Sequence, residues 1–148
     1  MFRGSSTHTI DAKGRIIIPA RFRDTIKAGG DYGVMVAQMD NCLNAYPYEK
    51  WRGIEDSILA QSRRSESMRR FRRFFVGGAY DCVCDKQDRI LIPPFHREYA
   101  GLQKEVILVG VLDHFEIWSK ENFERDRKTL AEDQMREDVR EEIATLGL

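Results

Sequence analysis

The 148-residue sequence has no surplus of either charge, since 24 Lys and Arg stand against 24 Asp and Glu. It has no apolar run near the ~20 residues of a bilayer-spanning helix, which argues against a membrane protein. The opening MFRGSSTHTIDAKGR lacks the basic-then-apolar pattern of a secretory signal, so the expected location is the cytoplasm. Cysteine is scarce at three residues, too few and too odd for a disulfide framework, and Cys82 and Cys84 in their apolar stretch read as packing residues. The Cys-x-Cys pair has no second pair, and His8, His96 and His114 do not fall at ligand spacing, so no metal or other cofactor is expected. No nucleophile elbow, Walker loop, H-E-x-x-H or dinucleotide fingerprint occurs, which argues against an enzyme and a small-molecule substrate.

What is present is ordinary globular material, 42% hydrophobic and 32% charged, enough for one modest domain or two very small ones. The neutral total hides a segregation. Residues 1–74 hold 14 basic and 8 acidic side chains and residues 75–148 hold 10 and 16, a charge of +6 against −6.

The segment IDAKGRIIIPARFR at 10–23 returns as CDKQDRILIPPFHR at 84–97, an offset of 74. The match runs on through VMVA at 34–37 against VILV at 106–109, then LNAYPYEKW at 43–51 against FEIWSKENF at 115–123, where the offset falls to 72. A unit of roughly 45–50 residues is too small for a good core alone, so two copies are expected to pack together. The boundaries read as a first repeat at 5–50, a helix and Arg-rich connector at 51–75, a second repeat at 76–119 and a C-terminal helix at 120–148.

Each copy reads as strand, tight turn, strand, short helix, then a hairpin of two strands and a helix, so the class is α+β, mainly β. Asp11 and Asp85 are turn-formers, able to accept from a backbone N–H two residues on, while Gly14 and Asp88 tolerate a left-handed conformation. The strands Arg15–Ile18 and Arg89–Ile92 are β-branched and apolar and stop at Pro19 and Pro93, which suit the start of a helix. Strands are expected near 33–38, 43–47, 105–111 and 114–118. A helix from about Pro47 carries Trp51, Ile54 and Ile58 at helical spacing, and Ser119 caps a long one striped by Leu130, Met135, Val139 and Ile143.

Arg15 and Arg89 each follow an aspartate by four residues, and two readings stand evenly balanced. One is an ion pair bracing the loop, stabilising by only about 0–1 kcal/mol when exposed. The other is nucleic-acid contact, because the same planar fork suits phosphates and guanine edges. Lys13 and Lys86 are ordinary turn lysines unless the repeated loop meets phosphate. The stretch RRSESMRRFRRFF at 63–75 interleaves arginine with Met68, Phe71, Phe74 and Phe75, and a connector whose Arg69, Arg70, Arg72 and Arg73 serve assembly, meeting acidic groups of the second half or the C-terminal helix, is favoured over direct DNA contact.

The MFRG start, the paired Asp-x-x-x-Arg motifs at Asp11–Arg15 and Asp85–Arg89, and the strands RIIIPA and RILIPP together resemble the MraZ family along the whole chain. The resemblance implies two AbrB-like swapped-hairpin units in a tandem, pseudo-twofold double-split β-barrel. It further implies a regulator binding double-stranded DNA in the nucleoid, usually a repressor of the division and cell-wall gene cluster acting at its own promoter through direct repeats, with subunits in a homo-oligomeric ring. Carried over, the DNA-binding positions are Arg3, Lys13, Arg15, Lys86 and Arg89, with Asp11, Gly14 and Asp85 forming the turns. The second motif, DKQDR, departs by placing Asp88 where the first has Gly14, which makes the first loop the cleaner phosphate carrier. A ring-forming interaction scaffold without specific DNA binding is the alternative.

Overall fold

In the computed structural model, which describes residues 1–61 and 65–148, the two repeats are interleaved rather than set side by side. The first repeat contributes β1 (Ser5–Thr9), β2 (Arg15–Ile17), α1 (Ala20–Ala28), β3 (Gly33–Met39) and β4 (Cys42–Tyr46). Then come α2 (Tyr48–Ala60) and α3 (Glu66–Phe75). The second contributes β5 (Tyr80–Val83), β6 (Arg89–Leu91), α4 (Pro94–Ala100), β7 (Glu105–Gly110) and β8 (Phe115–Ser119), followed by α5 (Lys120–Asp133) and α6 (Glu137–Ala144).

Six strands form one sheet in the order β1-β7-β8-β4-β3-β5, and β2 and β6 form a separate two-stranded ribbon. Each repeat therefore lends its first strand to the other's hairpin. Thr9 lies opposite Glu105 in the β1–β7 ladder, and Val83 lies opposite Gly33 in the β5–β3 ladder, which are equivalent pairings under the repeat offsets. Ile16 faces Ile90 at the centre of the ribbon, placing the pseudo-twofold between them. All pairings are antiparallel, so a one-residue slip in any ladder would turn its apolar set to water.

Burial explains why the swap holds. Ile16, Ile18, Ile90 and Ile92 are fully enclosed with Val34, Val36, Leu43, Val106, Leu108 and Ile117, in one cluster drawing on both repeats. Phe2, Phe22 and Phe115 close it as a triad with ring centroids 5.1–5.3 Å apart. A smaller cluster of Ala37, Tyr46, Trp51 and Phe75 seats α2 and α3 on the outer side of the sheet. The expected turns appear in kind: Asp40 and Asn41 take φ of 53° and 60° in the β3–β4 link, and Leu112 takes φ of 78° in the β7–β8 link.

Pro19 and Pro93 stand at the caps of α1 and α4, with φ of −58° and −59°, ending their strands as expected. The Arg-rich connector is itself a helix, α3, capped by Ser65, which accepts from the Met68 N–H. The single long C-terminal helix expected from the apolar stripe is corrected. The stripe is divided at Arg136, whose backbone is extended while its guanidinium pairs with Asp133 and Asp138. Neither α5 nor α6 has a buried residue, so no packing rewards a continuous rod through Met135, which is 85% exposed.

Candidate nucleic-acid interface

The two Asp-x-x-x-Arg turns superpose bond for bond. In the first, Asp11 N–H donates to Arg15 C=O at 3.0 Å and Gly14 N–H donates to Asp11 C=O at 3.0 Å. In the second, Asp85 N–H donates to Arg89 C=O at 2.8 Å and Asp88 N–H to Asp85 C=O at 3.0 Å. The Asp11 carboxylate accepts from the backbone N–H groups of Lys13 (3.0 Å) and Arg15 (2.9 Å), and Asp85 from those of Gln87 and Arg89, both at 2.9 Å. Gly14 and Asp88 adopt the left-handed region, φ 90° and 63°.

Both arginines are braced, and both keep their forks. Arg15 Nε donates to Asp11 at 2.7 Å and Arg89 Nε to Asp85 at 2.8 Å. These bonds use Nε alone, and among the described residues no hydrogen bond engages the terminal amino groups of either guanidinium. Bracing and outward recognition, which the sequence left as rivals, are thus compatible in one side chain. The backbone N–H of Arg15, ahead of its guanidinium, holds the Asp11 carboxyl down at about 2, and the same donor from Arg89 lowers Asp85, so both carboxylates stay charged well below neutrality.

Asp88 does not repel its neighbours as its sequence position suggests. It accepts from Tyr32 and from Arg23, and these partners hold its carboxyl below the usual range while the Tyr32 phenol is pushed up. The equivalent of Arg23 in the second repeat is Arg97, and it lies over Gly14, where a Cβ would come within 2.9 Å of its guanidinium carbon. Each turn is therefore covered by an arginine from the other repeat's helix. The departure DKQDR leaves the second turn built like the first.

Lys13 and Lys86 are exposed on the two turns, yet they are not equivalent positions: Lys13 corresponds to Gln87, and Lys86 to Ala12. Because each Asp–Arg pair sums to zero, as does Asp88 with Arg23, these lysines, with Arg97 over the first turn, supply the remaining positive charge. Arg3 is set apart from them. It lies beyond the opposite end of β1 from the turn, and its carbonyl accepts from Arg21 Nε at 3.2 Å. In α3, Arg69 and Arg70 meet Glu66 one turn back on the same helix, and no ion pair joins Arg70, Arg72 or Arg73 to α5 or α6 among the described residues. Arg63 and Arg64 lie outside the described residues.

Sequence reasoning missed two residues on the ribbon. Ile17 and Leu91 lie in strands read only as apolar, and they are 55% and 56% exposed, on the same outward face as Arg15 and Arg89. Strand alternation was the available signal, since a residue two along from an outward arginine points outward too. The former metal suspects have other duties: Cys82, Cys84 and His96 are buried, His8 bonds Ser6, and His114 bonds Asp113. No group of three or more His, Cys, Asp or Glu among the described residues is arranged to hold a metal. No described helix is long and apolar enough to cross a membrane.

Interleaved hairpins, one shared sheet and a ribbon flanked by two braced turns define a duplicated swapped-hairpin module that presents paired loops of one chemistry. Comparison with known proteins specifies it further. The family model described as "MraZ protein, putative antitoxin-like" matches twice, over residues 1–74 and 75–145. "Transcriptional regulator MraZ" of Desulforapulum autotrophicum is 60% identical over 148 residues, covering all of both chains. That of Desulfosudis oleivorans is 50% identical over 149 residues, again over both whole chains, and that of Lachnoclostridium phytofermentans 46% over 124 residues, 84% of this chain and 85% of its own. The chain belongs to the MraZ family of transcriptional regulators.

Proposed function

We propose that this protein binds double-stranded DNA sequence-specifically through the β2–β6 ribbon and its two turns. It represses the division and cell-wall gene cluster from its own promoter, acting in the cytoplasm on the nucleoid. The observation that carries the reading is the duplicated brace: Asp11 and Asp85 fix Arg15 and Arg89 through Nε and leave two terminal donors on each fork. A fork of that kind meets guanine O6 and N7 or a phosphate with two parallel bonds. Lys13 and Lys86 beside it add sequence-independent attraction to the backbone. A two-stranded ribbon is narrow enough for the major groove.

One such ribbon makes few contacts, so affinity rests on several subunits joined in a homo-oligomeric ring and engaging direct-repeat boxes on one duplex. The test is binding to duplex from upstream of the protein's own gene against scrambled duplex, over a salt series, with Arg15→Ala and Arg89→Ala beside the natural protein. Preference for the native duplex should disappear in the arginine variants while the particle mass stays the same. Lys13→Ala should instead weaken both duplexes alike and flatten the salt slope by about one unit for each subunit engaged. Equal, unaltered binding to both duplexes would leave the ring-forming scaffold as the reading to pursue.

A further inference from the structure

The outer face of the ribbon carries two side chains that neither the core nor the turns require. Ile16 and Ile18 on one strand and Ile90 and Ile92 on the other point inward and are fully buried, so the fold's apolar demand is already met. Ile17 and Leu91 alternate with them and are 55% and 56% exposed, where a threonine would suit a solvated strand equally well. A single exposed apolar residue is commonplace. Here the pair occupies equivalent positions of the two repeats, and each lies directly across the ladder from an arginine: Ile17 opposite Arg89, and Leu91 opposite Arg15.

Cross-strand neighbours of this kind have Cβ atoms about 4.5–5.5 Å apart. The four side chains therefore make a small checker pattern, with guanidinium groups on one diagonal and aliphatic groups on the other. A second copy of the same ribbon is a poor cover for it, because it would bring four guanidinium groups onto one small patch. The edge of a base stack offers both chemistries at once, within a stacking step of about 3.4 Å. Its donors and acceptors suit the forks, and the single apolar group it exposes in the major groove is the 5-methyl of thymine.

We propose that Ile17 and Leu91 are the thymine readers of this protein, seating thymine 5-methyl groups between the forks of Arg15 and Arg89. The inference rests on the reading of the ribbon as the DNA-binding face and adds to it a specificity that the Asp–Arg turns do not supply.

The test compares the natural upstream duplex with one in which every thymine is replaced by deoxyuridine, which keeps base pairing and removes only the methyl groups. The natural protein should bind the deoxyuridine duplex about tenfold or more weakly, the scale expected when an apolar contact loses one carbon. Scrambled duplexes of both compositions should bind alike, which separates methyl contact from a general change in duplex shape. Ile17→Ala combined with Leu91→Ala should bind both native-sequence duplexes equally while keeping the salt slope, and its thermal unfolding reports that it is folded. Equal binding of thymine and deoxyuridine duplexes by the natural protein, with native preference intact, would overturn the thymine assignment and leave the ribbon as the DNA face. A thymine preference that survives in the double variant would also overturn it, by assigning the methyl contact elsewhere. Absence of preference for any native duplex would remove the DNA reading itself, and this inference with it.

Discussion

A guanidinium has more donors than a brace consumes, and this protein keeps that surplus at two equivalent positions. Fixing Arg15 and Arg89 through Nε limits the rotamers each must give up on meeting a ligand, which is why an arginine is not replaceable by lysine at such a site. Arg15→Lys is accordingly expected to lose native-duplex preference almost as fully as Arg15→Ala in the same binding assay. A different residue, His96, contributes to the acid sensitivity of the fold. Its ring is buried against Gly78, Nε2 donates to the Gly78 carbonyl at 2.5 Å, and burial lowers its pKa below the ordinary 6.5. The folded state thus holds it neutral, the unfolded chain takes up a proton below about pH 6.5, and stability must fall as pH drops through that value toward the folded pKa. The equivalent position of the first repeat is Phe22, equally enclosed. His96→Phe should therefore flatten the decline in melting temperature between pH 7 and pH 5. His8, also lowered by burial, contributes the same sign and leaves a residual slope. An undiminished slope in the variant would shift the acid sensitivity to other groups.

Among the elements, the ribbon is the junction on which folding turns, because β2 and β6 come from different repeats and bury Ile16 against Ile90. Neither repeat can complete a sheet or a core alone, so unfolding should be one transition despite the tandem sequence. Ile90→Ala is expected to cost about 2–5 kcal/mol, the usual range for emptying a packed aliphatic site. Urea titration followed by fluorescence and by circular dichroism should give coincident midpoints lower than those of the natural protein. Two separated transitions would mean that the repeats fold as independent units. Much of this architecture was legible in the sequence, since the offset of 74, the turn chemistry at Asp11 and Asp85 and the proline stops located nearly every strand. The exchange of β1 and β5 was not legible from local pattern, because strand periodicity reports which face is buried and carries no information on which partner covers it. Asp88 misled for a similar reason: its neutralising partners, Arg23 and Tyr32, are more than fifty residues away. The C-terminal break was hidden because the apolar spacing of Val139 and Ile143 continues that of α5 although neither helix has a buried residue.

At the scale of the whole molecule, two surfaces are left with matching needs. Between α2 and α3 runs an apolar groove of about 870 Å³ lined by Ile54, Ile58, Met68, Phe71 and Phe75, with Arg69 and Arg72 along its rim. At the other end of the chain, α6 and the residues after it present Val139, Ile143, Leu146 and Leu148 among Glu137, Asp138, Glu141 and Glu142, with no residue of α6 buried. Apolar fits apolar and acid fits arginine, and the same pairing repeated from one copy to the next is a heterologous contact, which closes into a ring when its rotation permits. The C-terminal segment of one copy is thus expected to occupy the α2–α3 groove of its neighbour. Deleting residues 137–148 should lower the number of subunits per particle, obtained from the mass measured by light scattering. Mixing a Met68→Cys chain with an Ile143→Cys chain under mild oxidation should give a disulfide-linked heterodimer. Background from the native thiols is small, because all three are buried and even Cys84, the least shifted, is pushed up to about 11. A bridge that forms only when both cysteines share a chain would mean that the tail folds back onto its own groove. An unchanged number of subunits after the deletion would place the assembly contact elsewhere.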